Sequence, residues 1–232
     1  MLDAEPKYKD IYDRLNGNRF NDYFEPQHFY IASFSKKRDS LHMWNYYADG
    51  NGYNIGIDID AIMKLNKDKV GSIKRKDMIY EVKEQERLLV DLFTKYDAEL
   101  AKIDNFNLDD KTEEEFIMSQ MYYELCNSFE LDVYNFMITF KHPAYRHEEE
   151  TRLIIGLYSD DIRKMDYFVS KTGVFVEYTT IALDIYKNLK SITVHPGSNE
   201  LHSAGIQRYI KSKIDVLGKL PVYSSKVPFR II

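Results

Sequence analysis

Apolar and polar positions alternate along HFYIASFS, residues 28–35, with Phe29, Ile31, Ser33 and Ser35 on one side and Tyr30, Ala32 and Phe34 on the other. A period of two in a stretch rich in β-formers predicts a strand. Upstream, residues 4–16 are polar and predict a helix ending near Asn16 and Gly17. Downstream, Asp39 has the character of an N-cap for a short helix in SLHMWNYYA, which carries Leu41, Trp44 and Tyr47 or Ala48 on one face. DGNG (49–52) predicts a turn, and YNIGIDI a half-buried strand with Tyr53, Ile55, Ile57 and Ile59 on one face. A third strand is expected around Val70–Tyr80.

The period then changes. Residues 81–104 and 113–138 predict two long helices joined by the polar link DNFNLDDK, and Thr112 with Glu115 has capping-box spacing. Ile117, Met121, Leu125, Phe129, Val133 and Met137 recur every four residues, which predicts a packing stripe. Strands are expected again at about 149–158, in GVFVEY (173–178) and in LKSITV (189–194). HPGSN predicts a turn into a helix over 199–214 with Ile206, Tyr209, Ile210 and Ile214 inward, and LPVYSS predicts a last strand. The alternation of periods implies an α+β fold: a mixed, mainly antiparallel sheet with flanking helices and a long helical-hairpin insertion. One domain over 1–232 is expected, with the insertion at about 81–138 serving as structure or as a partner-binding arm.

Composition narrows the function classes. With 44 % hydrophobic and 30 % charged residues the chain is expected to be a soluble globule. Nineteen Tyr and 13 Phe against one Trp predict a tyrosine-rich interior and aromatic-walled clefts. The one cysteine, Cys126, has no partner for an intramolecular disulfide and falls on an apolar helical stripe, which makes it a core residue. No apolar run approaches about 18 residues, so the expectation is a cytoplasmic protein without a membrane span. A formal charge of −5 argues against general nucleic-acid binding, and Lys74, Arg75 and Lys76 read as a solvated edge.

Candidate chemistry centres on YRHEEETRLII, residues 145–155. Carried on a strand, Glu148, Glu150 and Arg152 share one face, about 7 Å apart, while Glu149, Thr151, Leu153, Ile155 and Leu157 share the other. Two readings stand: an exposed strand end where Arg152 salt-bridges Glu150, or a carboxylate in a cleft, oriented by Arg152, that binds hydroxyls or stabilises a cation. Ser33 and Ser35 precede the helix with Trp44 and Tyr47, and hydroxyls beside an aromatic wall can hold a flat ring with an amide edge. The plainer reading is a core Trp with serines satisfying edge backbone groups. HPGSNE could bind an anion at a helix start but lacks a glycine-rich loop or a well-placed lysine. No Cys pair, HExxH or GxSxG supports a metal or nucleophile site, so no metal is expected.

Taken together, FYIASFSKKRDSLHMWNYYADGNGYNIGIDI, KHPAYRHEEETRLII, ITVHPGSN and SSKVPFR resemble the spaced blocks of the bacterial family known as domain of unknown function 2971. The likeness covers most of the chain outside the helical pair. MLDAEPKYK resembles the turn that follows a first strand and helix in that family, which implies that those two elements are absent here. By analogy of element order, a Ser-x-Ser strand followed by a Glu-x-Glu strand is similar to ADP-ribosyltransferases. That likeness implies NAD as substrate, with no certain cofactor. Glu150 would stabilise the ribosyl cation, Glu148 would orient the acceptor, Ser33 or Ser35 would buttress Glu150, and Tyr47 would stack on nicotinamide. The absent first strand would remove the residue that normally grips NAD.

Two functions follow as expectations. The first is an ADP-ribosyltransferase-like enzyme of toxin or phage-defence type, modifying a protein or nucleic-acid acceptor. The second is a non-enzymatic binding or regulatory module that uses the aromatic cleft and the helical hairpin, the hairpin also offering a homodimer surface. A metal- or nucleophile-dependent hydrolase has little support in the spacing.

Overall fold

A computed structural model of the chain describes residues 28–48, 51–106, 111–157, 165–213 and 219–228. The helix expected at 4–16 lies outside the described residues. The described residues form two compact units, one within 28–77 and 146–228 and the other within 78–145.

In the first unit, β1 (His28–Ser35), β3 (Ser72–Asp77) and β4 (Glu150–Leu157) form an antiparallel sheet in the order β1-β4-β3. The central place falls to β4 because its sequence is apolar on both faces, and from Leu153 to Leu157 every residue is buried. Leu153, Ile155 and Leu157 pack with Ile62, and Tyr30, Ala32 and Phe34 of β1 and Ile73 of β3 close around them. The predicted facing of β1 is therefore the observed one. Ile62 comes from α2 (Ile59–Asn66), a helix that the pattern did not predict. Its N-cap is Asp58, whose carboxylate accepts from the Ala61 amide at 2.9 Å. That bond, with Lys190 nearby, holds the Asp58 carboxyl below its ordinary value.

A second sheet has the order β2-β7-β8, from β2 (Tyr53–Ile57), β7 (Leu189–Val194) and β8 (Val222–Ser224). β2 runs antiparallel to β7, and β8 runs parallel to it. A one-turn helix, α5 (Ile185–Asn188), leads into β7. The hairpin of β5 (Met165–Val169) and β6 (Phe175–Thr179) completes the strands, and β5 was not predicted. The helix α6 (Glu200–Lys213) buries Ile210 but leaves Tyr209 exposed, against the expectation for Tyr209, while Ile214 lies outside the described residues.

The second unit carries α3 (Val82–Asp104) and α4 (Lys111–Thr139), the long helical pair expected from the pattern. Leu92 and Tyr96 of α3 meet Phe129 of α4 in an aromatic core, and Cys126 is fully buried and in no disulfide. Two expectations fail here. Thr112 lies inside α4, which the structure describes from Lys111, and Met137 is exposed. A strict repeat of four advances about 40° per step on a 3.6-residue helix, so the far end of the stripe rotates out of the contact. At the base of the pair the Ile79 amide donates to Thr139 O and the Lys141 amide to Ile79 O, while Gln85 Nε2 donates to Ile79 O and Lys141 O.

Candidate functional site

The start of β4 gathers most of the predicted polar residues. Register places Ser33 opposite Arg152 and Ser35 opposite Glu150, and residues directly opposite on an antiparallel pair share a face. Ser33 Oγ donates to Glu150 Oε1 at 2.6 Å, and Arg152 Nε donates to the same oxygen at 2.7 Å. Glu150 is only 5 % exposed, so these donors compensate a carboxylate largely removed from water.

Glu148 is not on the strand, contrary to the predicted Glu-x-Glu-x-Arg row. Residues Pro143–Glu148 form a 3₁₀ turn, and Glu149 adopts φ 42°, in the left-handed region that side chains with a Cβ avoid. That reversal breaks the alternation between Glu148 and Glu150. Neighbours hold it in place: the Lys36 amide donates to Glu149 O at 3.0 Å, the Glu149 amide donates to Arg146 O at 3.1 Å, and Lys37 Nζ pairs with the Glu149 carboxylate at 2.9 Å. Ser35 serves the turn too, since its Oγ donates to the Glu148 backbone carbonyl at 2.6 Å and accepts from the Lys37 amide at 3.0 Å. Alongside, the His42 and His147 rings stack at 4.2 Å.

The aromatic wall expected from Trp44 and Tyr47 is not formed by Trp44. Both lie on α1 (Leu41–Tyr47), but Trp44 is buried while Tyr47 is 69 % exposed. Trp44 packs edge-on against the buried His195 ring at 5.2 Å, and its Nε1 donates to Asp39 Oδ1 at 2.8 Å. Asp39 is not the predicted N-cap; Ser40 holds that position without a side-chain bond. Instead Asp39 also accepts from Ser225 Oγ at 2.6 Å and from the Lys226 amide at 2.9 Å. Burial pushes the Asp39 carboxyl up, and the donors from Ser225, Trp44 and Lys226, with the Arg38 charge, outweigh it and hold the group below its ordinary value. Burial pushes the His195 imidazole down. Sequence reasoning missed this anchor because the donors at 225 and 226 are remote in the chain.

The anion reading of HPGSNE fails for a local reason. Asn199 Oδ1 accepts from the Leu201 and His202 amides, occupying the start of α6 as a cap. Among the described residues no group of three or more His, Cys, Asp or Glu is arranged to hold a metal ion, and no helix is long and apolar enough to cross a membrane.

No curated protein and no solved structure matches the chain. Residues 43–153, from α1 to the middle of β4, match the model of a family described as protein of unknown function (DUF2971). The matched span includes Glu150 and Arg152 and runs across the helical pair; Ser33, Ser35, Asp39 and Ser225 fall outside it. Over this segment the chain is similar to the DUF2971 family.

Proposed function

We propose that the chain is an ADP-ribosyltransferase-like enzyme that uses NAD as substrate and modifies a macromolecular acceptor, in a toxin or phage-defence role. The observation that carries this reading is the bond from Ser33 to the buried Glu150 carboxylate, at 2.6 Å, across two strands that are distant in the chain. In the proposed reaction the bond between the nicotinamide nitrogen and ribose C1′ breaks, its electron pair leaving with nicotinamide. A lone pair on the acceptor then bonds to C1′ and the acceptor releases its proton. A fixed carboxylate beside C1′ stabilises the cationic character that develops there, and it does so without reorganising at the moment of reaction. Ser33 and Arg152 fix the orientation of Glu150. Glu148, held by its turn, would orient the acceptor, and Tyr47 remains the candidate to stack on nicotinamide.

The test is nicotinamide release from NAD by the chain and by Glu150→Gln, each with and without cell lysate. Release that Glu150→Gln abolishes supports the reading. Release that survives, or none from either protein under any condition, removes it. A second reading, a binding module, draws on the exposed Phe116, Leu131 and Met137 of α4. A mass of two chains in light scattering, reduced to one by Phe116→Ser, would favour it.

A further inference from the structure

β2 stands at the edge of its sheet, paired with β7 on one side only. The alternation of an antiparallel ladder fixes where its backbone groups point. The His195 amide donates to Gly52 O at 3.1 Å, so Gly52, Asn54 and Gly56 bond toward β7. The N–H and C=O groups of Tyr53 and Ile55 then point outward, and among the described residues nothing pairs with them.

Ile55 of that edge also lines a groove of about 650 Å³, within the range of ligand-binding clefts. Four consecutive β2 residues, Asn54–Ile57, line it, together with Lys190 and Ser191 of β7. Lys36, Lys37, Arg38, Arg75 and Lys190 also line it, against Asp58, Asp60 and Asp77. The lining thus has five positive side chains against three negative ones, with Lys37 also paired to Glu149 at 2.9 Å, in a chain whose formal charge is −5. The pairs Lys36–Asp77, Arg75–Asp60 and Lys190–Asp58 are partly solvated, so a competing anion displaces them at little cost. YNIGI has neither the Pro nor the Lys that usually guards an edge, and Tyr53 and Ile55 are 46 % and 60 % exposed.

We propose that the outer edge of β2 docks an extended acidic segment of a partner protein, which adds as a strand beside β2 and sets its carboxylates against the basic rim. A phosphate or nucleotide answers the charge alone. Outward carbonyls alternating with outward amides need a ligand that alternates donors and acceptors, and a peptide backbone does. The inference goes beyond the NAD reading and involves none of Ser33, Glu150 or Arg152.

The experiment measures fluorescence anisotropy of a labelled hexapeptide of alternating Glu and Val on the full chain, with amide hydrogen exchange in parallel. Three controls accompany it: a Lys–Val peptide, a Glu–Pro peptide N-methylated at its Glu residues so that no backbone donor remains in either register, and AMP as competitor. The expected result is binding by the Glu–Val peptide that slows exchange at Tyr53 and Ile55. The Lys–Val and Glu–Pro peptides should bind about tenfold more weakly or less. Ile55→Pro removes an outward donor while sparing the ladder to β7, and should weaken binding by a similar factor. Arg75→Gln and Lys190→Gln should each weaken it a few-fold. Because the Glu–Pro peptide deletes hydrogen bonds from the ligand side, the test does not depend on Ile55→Pro folding. Absence of Glu–Val binding, equal binding by Glu–Pro, protection only elsewhere, or binding by AMP alone would overturn the proposal. Glu150→Gln should bind the peptide as the parent does, which separates this outcome from the fate of the NAD reading.

Discussion

Asp39 and Glu150 are both carboxylates drawn out of water next to β1, yet they are served differently. Asp39 accepts from three donors spread over both oxygens, and two of them come from the segment at 225 and 226. The two side-chain donors to Glu150 described above converge on one oxygen, and both come from its own sheet. The first arrangement ties distant parts of the chain together. The second fixes the direction of one side chain. A carboxylate shielded from water, half-buried at Asp39 and buried at Glu150, is therefore not one kind of feature: the origin of its donors separates an anchor from a candidate reagent.

The sharpest way to break that contrast is Glu150→Gln, expected to lower nicotinamide release by about a hundredfold or more while shifting the denaturation midpoint little. A large loss of stability with unchanged release would make Glu150 the anchor. Next comes Asp39→Ala, which strands the Trp44, Ser225 and Lys226 donors and should cost about 3 kcal/mol in urea denaturation. A cost below about 1 kcal/mol would remove its anchoring role.

Acid should act through the same anchor. A carboxyl held below its ordinary value contributes stability that is present above its unfolded pKa, near 3.9, and is lost as pH falls through the lower folded value. His195 acts higher on the scale. Its imidazole is depressed by burial, so the unfolded chain takes the proton first and stability declines as pH falls below about 6.5. His195→Gln should flatten the decline just below pH 6.5, and Asp39→Asn the limb below about pH 4, both read from melting temperature against pH. The smallest effect is expected for Glu149→Gly, which relieves the left-handed backbone at φ 42° and loses only a half-exposed pair with Lys37. Stability should stay level or rise by up to about 1 kcal/mol.

Periodic features were legible in the sequence. Alternation over 28–35 placed Tyr30, Ala32 and Phe34 on the core and Ser33 on the face of Glu150, as observed. The helical pair was equally readable, because local spacing governs a helix. What escaped depends on a single dihedral or on remote partners. The reversal at Glu149 invalidated the alternation that put Glu148 beside Glu150. Asp39 read as a cap because its nearest apparent use was local, whereas its donors include Ser225. Trp44 and Tyr47 sit three apart on one helix, but Trp44 is buried against His195 while Tyr47 is exposed.

The bond between Asp39 and Ser225 spans 186 residues of chain. During synthesis at roughly 5–20 residues per second, the Asp39 carboxylate therefore waits on the order of 10–40 seconds for that donor. Through that interval the indole of Trp44, the chain's one tryptophan, has a hydrogen-bond partner that is itself incompletely held. Its emission is thus a built-in clock for the growing chain, reporting when residues 225 and 226 reach Asp39.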